Sequence, residues 1–280
     1  MKIGVIGSGT MGNGIAHSFA ANGYNVHLHD INSDLLSKGL ETIKKNLNRM
    51  VKKQIINEEQ LIETLNQISI TTNIEDMKDK NLIIEAATEN VDIKKTIFSK
   101  LDNIAKEDCV LASNTSSISI NTLADSTNRP SKVIGMHFMN PVPIMKLIEI
   151  IKTDRTDPDV LEFIKQTAIN LKKEPIECLD SPGFVSNRIL IPMINEAIYT
   201  LMEGVATKES IDSIMKLGMA HPMGPLTLAD LIGLDVCLSI MNVLRDGFNG
   251  DPKYEPCPLL VQMCKDGKLG RKTGEGFYKY

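Results

Sequence analysis

Along the first two thirds of the chain, short apolar runs rich in β-branched residues alternate with longer stretches whose apolar positions recur at helical spacing. Residues 2–6, 25–29, 68–71, 82–86, 109–113 and 133–137 read as buried strands. Between them the pattern predicts helices over 11–22, with Gly23 as the stop, from an Asn32 or Ser33 cap to about Val51, over 58–65 and over 92–105. Residues 146–151 and 175–178 are two further strand candidates. The Asp157-Pro158 pair starts a helix between them, because Asp caps free amides and Pro suits the first helical position. Such alternation implies a mostly parallel sheet covered on both faces.

The pattern changes after Ser181-Pro182-Gly183. Residues 185–204 read as a helix apolar on nearly every side, interrupted by Pro192, which should bend or strain it. Further helices are expected over 208–217, 226–232, 234–245 and 259–265. We therefore expect two domains, 1–182 and 183–280. The second is expected to serve substrate binding and dimerisation, since so apolar a helix belongs in a bundle or against another copy of the chain. A homodimer or higher homo-oligomer follows as an expectation.

Composition narrows the function classes. With 42% hydrophobic and 24% charged residues the 280-residue chain is an ordinary globular protein. A net charge of −4 offers no general attraction to nucleic acid or an anionic membrane. No apolar run approaches the ~20 residues of a membrane helix. The first strand begins at Lys2, leaving no room for a leader, and the five scattered cysteines fit a reducing cytoplasm and no metal site.

The candidate chemistry begins at Gly7-Ser8-Gly9-Thr10-Met11-Gly12, a GxGxxG between the first strand and the first helix. Gly7 permits the tight turn, Gly9 admits a pyrophosphate and Gly12 lets helix and strand pack closely. The fold expected is therefore α/β, a Rossmann-type doubly wound, mostly parallel sheet followed by an all-helical C-terminal domain. Asp30 ends the second strand, where a carboxylate accepts hydrogen bonds from a ribose and repels a 2′-phosphate. No Arg follows closely, so NAD is expected over NADP. The alternative is that Asp30 caps the next helix.

Dehydrogenation of an alcohol needs a base, and His137 ends a strand, where ligands collect in such sheets. Glu149 stands among apolar neighbours in the next strand and needs a partner if buried; the histidine is the natural one. An edge-strand Glu facing water is the alternative. Asn114, Thr115, Ser116 and Ser117 follow another strand end, where they suit nicotinamide and substrate oxygens or simply cap a helix. Asn187 opens the second domain.

These stretches resemble the 3-hydroxyacyl-CoA dehydrogenase family, in particular its short bacterial 3-hydroxybutyryl-CoA members. The matching pieces are GSGTMGNGIA at 7–16, ASNTSS at 112–117, GMHFMNPVPIMKLIEII at 135–151, SPGFVSNRIL at 181–190, HPMGPL at 221–226 and GRKTGEGFYKY at 270–280. The resemblance spans essentially the whole chain. It implies an NAD-dependent enzyme that oxidises short 3-hydroxyacyl-CoA thioesters and reduces the 3-oxo products. It implies His137 as base, Glu149 as its partner, and Ser116 and Asn187 as hydrogen-bonding groups at the reacting oxygen and thioester. For the cofactor it adds Glu89, Lys94, Asn140 and Lys272 to Asp30 and the glycine loop. For CoA it points to Ser116, Lys94 and one of the lysines of the long helix, with Lys53 chosen. Met139 and Thr227 depart from the family pattern and leave acyl-chain preference open. A dehydrogenase of free hydroxy or sugar acids, or a nucleotide-binding regulatory protein on the same scaffold, are the competing readings. The basic helix argues against the first, and the Ser, His, Glu and Asn set against the second.

Overall fold

The computed structural model describes all of residues 1–280 and divides into two compact units, Met1–Asp180 and Ser181–Tyr280. In the first, the chain runs β1 (Lys2–Ile6), α1 (Thr10–Ala20), β2 (Asn25–His29), α2 (Ser33–Lys52), α3 (Glu58–Asn66), β3 (Ile68–Thr71), β4 (Leu82–Glu85), α4 (Val91–Ile104), β5 (Val110–Ser113), α5 (Ile120–Ala124), β6 (Val133–Phe138), β7 (Leu147–Lys152), α6 (Pro158–Asn170) and β8 (Glu174–Leu179). The eight strands form one sheet in the order β3-β2-β1-β4-β5-β6-β7-β8. Every pairing is parallel except β6 with β7. The eight-residue connection between those two is too short for a crossover, so the chain turns straight back.

Central strands are buried on both faces, which is why they read as continuous apolar runs: all four residues of β4 and of β5 are buried. Ile3, Val5, Val26, Leu28, Leu82 and Ile84 pack with Ile15 and Phe19 of α1 and Ile43 and Leu47 of α2. The helix starts follow capping chemistry. Asn32 accepts the Asp34 amide, Asn57 and Gln60 form a reciprocal capping box, and Asp157 accepts the Asp159 amide.

The second unit contains α7 (Ser186–Met202), α8 (Lys208–Gly218), α9 (Pro225–Ile232), α10 (Leu234–Gly247) and α11 (Pro258–Lys265). Only one stripe of α7 is buried, formed by Ile191, Ile194, Asn195, Ala197 and Ile198, and the helix continues through Pro192. Ile189 and Met202 on this helix, and Val185 just before it, remain exposed. No single helix in the chain is long and apolar enough to cross a membrane.

His17 of α1 is buried, and its Nδ1 has no hydrogen-bond partner. Burial, aided by the nearby Lys173 charge, lowers its pKa from 6.5 to about 4. Between those values the unfolded chain takes up a proton that the folded chain refuses. Stability from this residue is therefore complete above about 6.5 and lost as pH falls toward about 4, by up to about 3 kcal/mol. Urea unfolding across this range should show a smaller pH dependence for His17→Gln than for the unsubstituted protein; equal slopes would contradict the assignment.

Candidate active site

A cleft of about 1320 Å³ opens at the carboxyl ends of the strands, where the sheet order reverses beside β1. Its walls come from the turn after β1, from Asp30 and Ile31 after β2, from Ala86, Ala87 and Thr88 after β4, and from Asn140–Pro143 after β6. The faces of α2 and α4 extend it.

The glycine turn fits a dinucleotide. Gly7 adopts φ +95°, and a Cβ there would stand 2.7 Å from the Ala86 carbonyl oxygen. A Cβ on Gly12 would fall 1.7 Å from the Gly7 oxygen, so helix and turn pack as closely as they do only without side chains. A Cβ on Gly9 would meet nothing within 4 Å, leaving the backbone open on that side. No side chain caps α1 and no acidic residue occupies its first turn. Its leading amides, Thr10 and Met11 among them, are thus left for an anion such as a pyrophosphate. Asp30 does not cap α2, a task that falls to Asn32. Its carboxylate instead accepts the Ser8 amide and hydroxyl, both at 2.8 Å, which fixes it against the turn on the cleft wall.

Three residues before Asn140, His137 lies opposite Glu149 in the β6–β7 pairing. Facing residues of an antiparallel pair project to the same side, and His137 Nδ1 stands 2.9 Å from Glu149 Oε2. Both residues are buried, at 7% and 4% exposure. Glu149 is not on an edge, because β8 covers the other side of β7. Neither residue lines the main cleft; the loop after β6 connects the two places.

A second buried cluster gathers at the ends of β4 and β5. Glu85, fully buried, receives the Lys94 ammonium at 2.7 and 2.8 Å, the Ser113 hydroxyl at 2.7 Å and the Ala87 amide at 2.7 Å. Lys94 also lies 3.5 Å from Glu89. Glu89 in turn accepts the Thr115 hydroxyl at 2.6 Å and the Ser116 and Ser117 amides at 2.9 and 3.1 Å. Burial raises the Glu89 pKa, but Lys94 and these donors outweigh it and hold the carboxyl below its ordinary value. The network fixes the loop bearing Ser116. Asn114 adds a tie by accepting the Phe138 amide at 2.8 Å, which joins the ends of β5 and β6.

Lys94, expected at the cofactor or at CoA, is 1% exposed here, and its ammonium is engaged by Glu85, Glu89 and the Ala87 carbonyl. Lys53, exposed at the C-terminal cap of α2, is not on the cleft wall, whereas Lys38 and Lys100 are. The sequence reading missed Glu85, although a Glu closing an apolar strand is the same signal that singled out Glu149. It also missed Lys38, which shares a helical stripe with Thr42 and Asn46. In the second unit, Asn187 lies in the first turn of α7, and Lys272 pairs with Asp235. Asp230, 1% exposed, accepts the Phe277 and Tyr278 amides at 2.9 Å and so holds the tail that carries Lys272.

All five cysteines are free, and burial pushes the Cys109 and Cys237 thiols up to about 12, so neither is a nucleophile near neutral pH.

Comparison with known proteins gives the family. Residues 2–181 match the family model described as 3-hydroxyacyl-CoA dehydrogenase, NAD binding domain, and residues 183–280 match its C-terminal domain. A probable 3-hydroxybutyryl-CoA dehydrogenase of Deinococcus radiodurans is 53% identical, with all of both chains covered. A 3-hydroxybutyryl-CoA dehydrogenase of Bradyrhizobium diazoefficiens is 51% identical over all of this chain and 95% of its own. Among solved structures, the (S)-3-hydroxybutyryl-CoA dehydrogenase of Ralstonia eutropha superimposes with a TM-score of 0.96 at 48% identity, covering 100% of this chain and 98% of that one. The chain is an NAD-dependent oxidoreductase acting on CH–OH groups, and it belongs to the 3-hydroxyacyl-CoA dehydrogenase family.

Proposed function

We propose that the protein oxidises the 3-hydroxyl of short-chain 3-hydroxyacyl-CoA thioesters, (S)-3-hydroxybutyryl-CoA foremost, to the 3-oxo compounds and catalyses the reverse reduction. The buried His137–Glu149 contact of 2.9 Å, on the strand that leads into the cofactor cleft, carries this reading. The names of the close relatives support the substrate.

The glycine turn and Asp30 would hold NAD, which would supply the hydride acceptor for C3 of the substrate and the donor in the reverse reaction. The chain handles the proton. An ionised carboxylate only accepts hydrogen bonds, so Glu149 takes the Nδ1–H of His137 and leaves the ring's lone pair at Nε2. Nε2 receives the hydroxyl proton, and the ring charge that results develops beside Glu149 in a site of low dielectric. Ser116, steadied through Glu89, and the Asn187 amide are assigned to the substrate oxygens. Holding these groups in advance supplies a large part of the acceleration. Asp30, Asn114, Asn140 and Lys272 are assigned to the cofactor, and the CoA phosphates to exposed lysines of α2, with Lys53 retained and Lys38 added.

His137→Gln should lower kcat for acetoacetyl-CoA-dependent NADH oxidation by about 10²–10⁴. NADH affinity, read by fluorescence titration, should stay unchanged; near-normal turnover would discard the role. Across acyl-CoAs of increasing length, kcat/KM should be highest at four carbons, and a preference for long chains would refute the substrate assignment. With the Asp30 carboxylate on the cleft wall, NADH should outperform NADPH in kcat/KM, and the reverse order would overturn the ribose role. The exposed Val185 and Ile189 at the start of α7 fit a second copy of the chain, so a monomeric mass at micromolar concentration would exclude the dimer.

A further inference from the structure

Lys173 is a buried cation that the proposed chemistry does not use. It is 8% exposed and has no carboxylate partner. Its ammonium donates instead to two backbone carbonyls, Val142 at 2.5 Å and Met145 at 2.6 Å. An ammonium out of water is expensive to hold unless its hydrogen bonds are made in full, and burial lowers the Lys173 pKa accordingly.

Local structure delivers the residue to this place. Helix α6 ends at Asn170, and the chain closes it with the Lys172 amide on Ile169 O (2.8 Å) and the Lys173 amide on Ala168 O (3.0 Å). This is the paired bonding of a Schellman cap, with Lys172 at φ +58° in the position usually given to glycine. The turn sends the Lys173 side chain inward, and β8 begins at Glu174, whose amide bonds Lys146 O at 2.8 Å.

Both acceptors belong to the loop between β6 and β7. This loop leaves His137 and Phe138, supplies Asn140, Pro141, Val142 and Pro143 to the cleft wall, and returns to Glu149. Its own bonds are few: the Ile144 and Met145 amides share the Pro141 carbonyl at 3.0 Å. Val142 packs onto Gly14 of α1 so closely that a Cβ on that glycine would stand 3.0 Å from Val142 Cβ. The loop is thus gripped from one side by α1 and from the other by Lys173.

We propose that Lys173 is a positioning residue for the cofactor: its ammonium fixes the 142 and 145 carbonyls so that the wall bearing Asn140 stands opposite the glycine turn. Lys173 itself does not line the cleft. The inference rests on the reading that NAD occupies this cleft.

The test compares Lys173→Met, which keeps the side chain's length and removes the charge, with Ile164→Ala, which opens a cavity in the buried face of the preceding helix α6. Both should lower Tm. Only Lys173→Met should weaken NADH binding, by about tenfold in a fluorescence titration, with the KM for acetoacetyl-CoA little changed. Amide exchange at Ile144 and Met145 should quicken in Lys173→Met alone. Lys173→Arg, which keeps the charge, should restore part of the NADH affinity; if Lys173→Met does not fold, Lys173→Gln, which also removes the charge, takes its place. An NADH Kd that is unchanged in folded Lys173→Met, or raised equally by Ile164→Ala, overturns the positioning role. Failure of the unsubstituted protein to bind NADH would instead remove the cofactor reading, and this inference with it.

Discussion

The active site depends on the register of one strand pair. β6 and β7 run antiparallel, and the pairing that sets His137 against Glu149 also sets Met136 against Ile150 and Phe138 against Ile148. Met136, Ile148 and Ile150 are fully buried. Side chains alternate between faces along a strand, so a slip of one residue would turn Glu149 away from the histidine and push an isoleucine into its place. The hydrophobic core therefore fixes the separation of the two catalytic candidates, and the contact between them needs no flexible loop to form it.

The same end of the sheet concentrates buried charge. Glu85, Lys94, Glu149 and Lys173 are each almost wholly withdrawn from water, and each is held by hydrogen bonds. Charges in such places are costly unless they are paired or solvated by the protein. Here three of them stabilise loops that leave strand ends: Glu85 and Lys94 act on the loop bearing Ser116, and Lys173 on the loop bearing Asn140. Stability and function are coupled, because the polar groups that shape the site also keep the strand ends ordered. The glycine turn contributes in the opposite way, by omitting side chains where Gly7 and Gly12 meet neighbouring backbone.

Much of this was legible in the sequence because it follows from short-range rules. The strand runs, the GxGxxG turn and the Asn32 and Asp157 caps depend on local patterns, and most element ends were read to within about two residues. A histidine at one strand end and an acid among isoleucines in the next already suggested a pair. What the pattern does not encode is long-range pairing. That Lys94 turns inward to Glu85 depends on how α4 lies on β4. That Lys38 of α2 and Lys100 of α4 line the cleft, and Lys53 does not, depends on how the two helices lie over the strand ends. The pattern likewise does not show that Lys173 is buried, where the cap formed at Lys172 delivers it.

The central claim is that His137 and Glu149 act as one unit in proton transfer. A double-mutant cycle on kcat with His137→Gln, Glu149→Gln and the double variant tests it most directly, since groups that act together lose their effect only once. The account predicts that Glu149→Gln slows the unsubstituted enzyme strongly but adds almost nothing to His137→Gln. Losses that simply multiply in the double variant would mean that the two side chains act separately, and would contradict it.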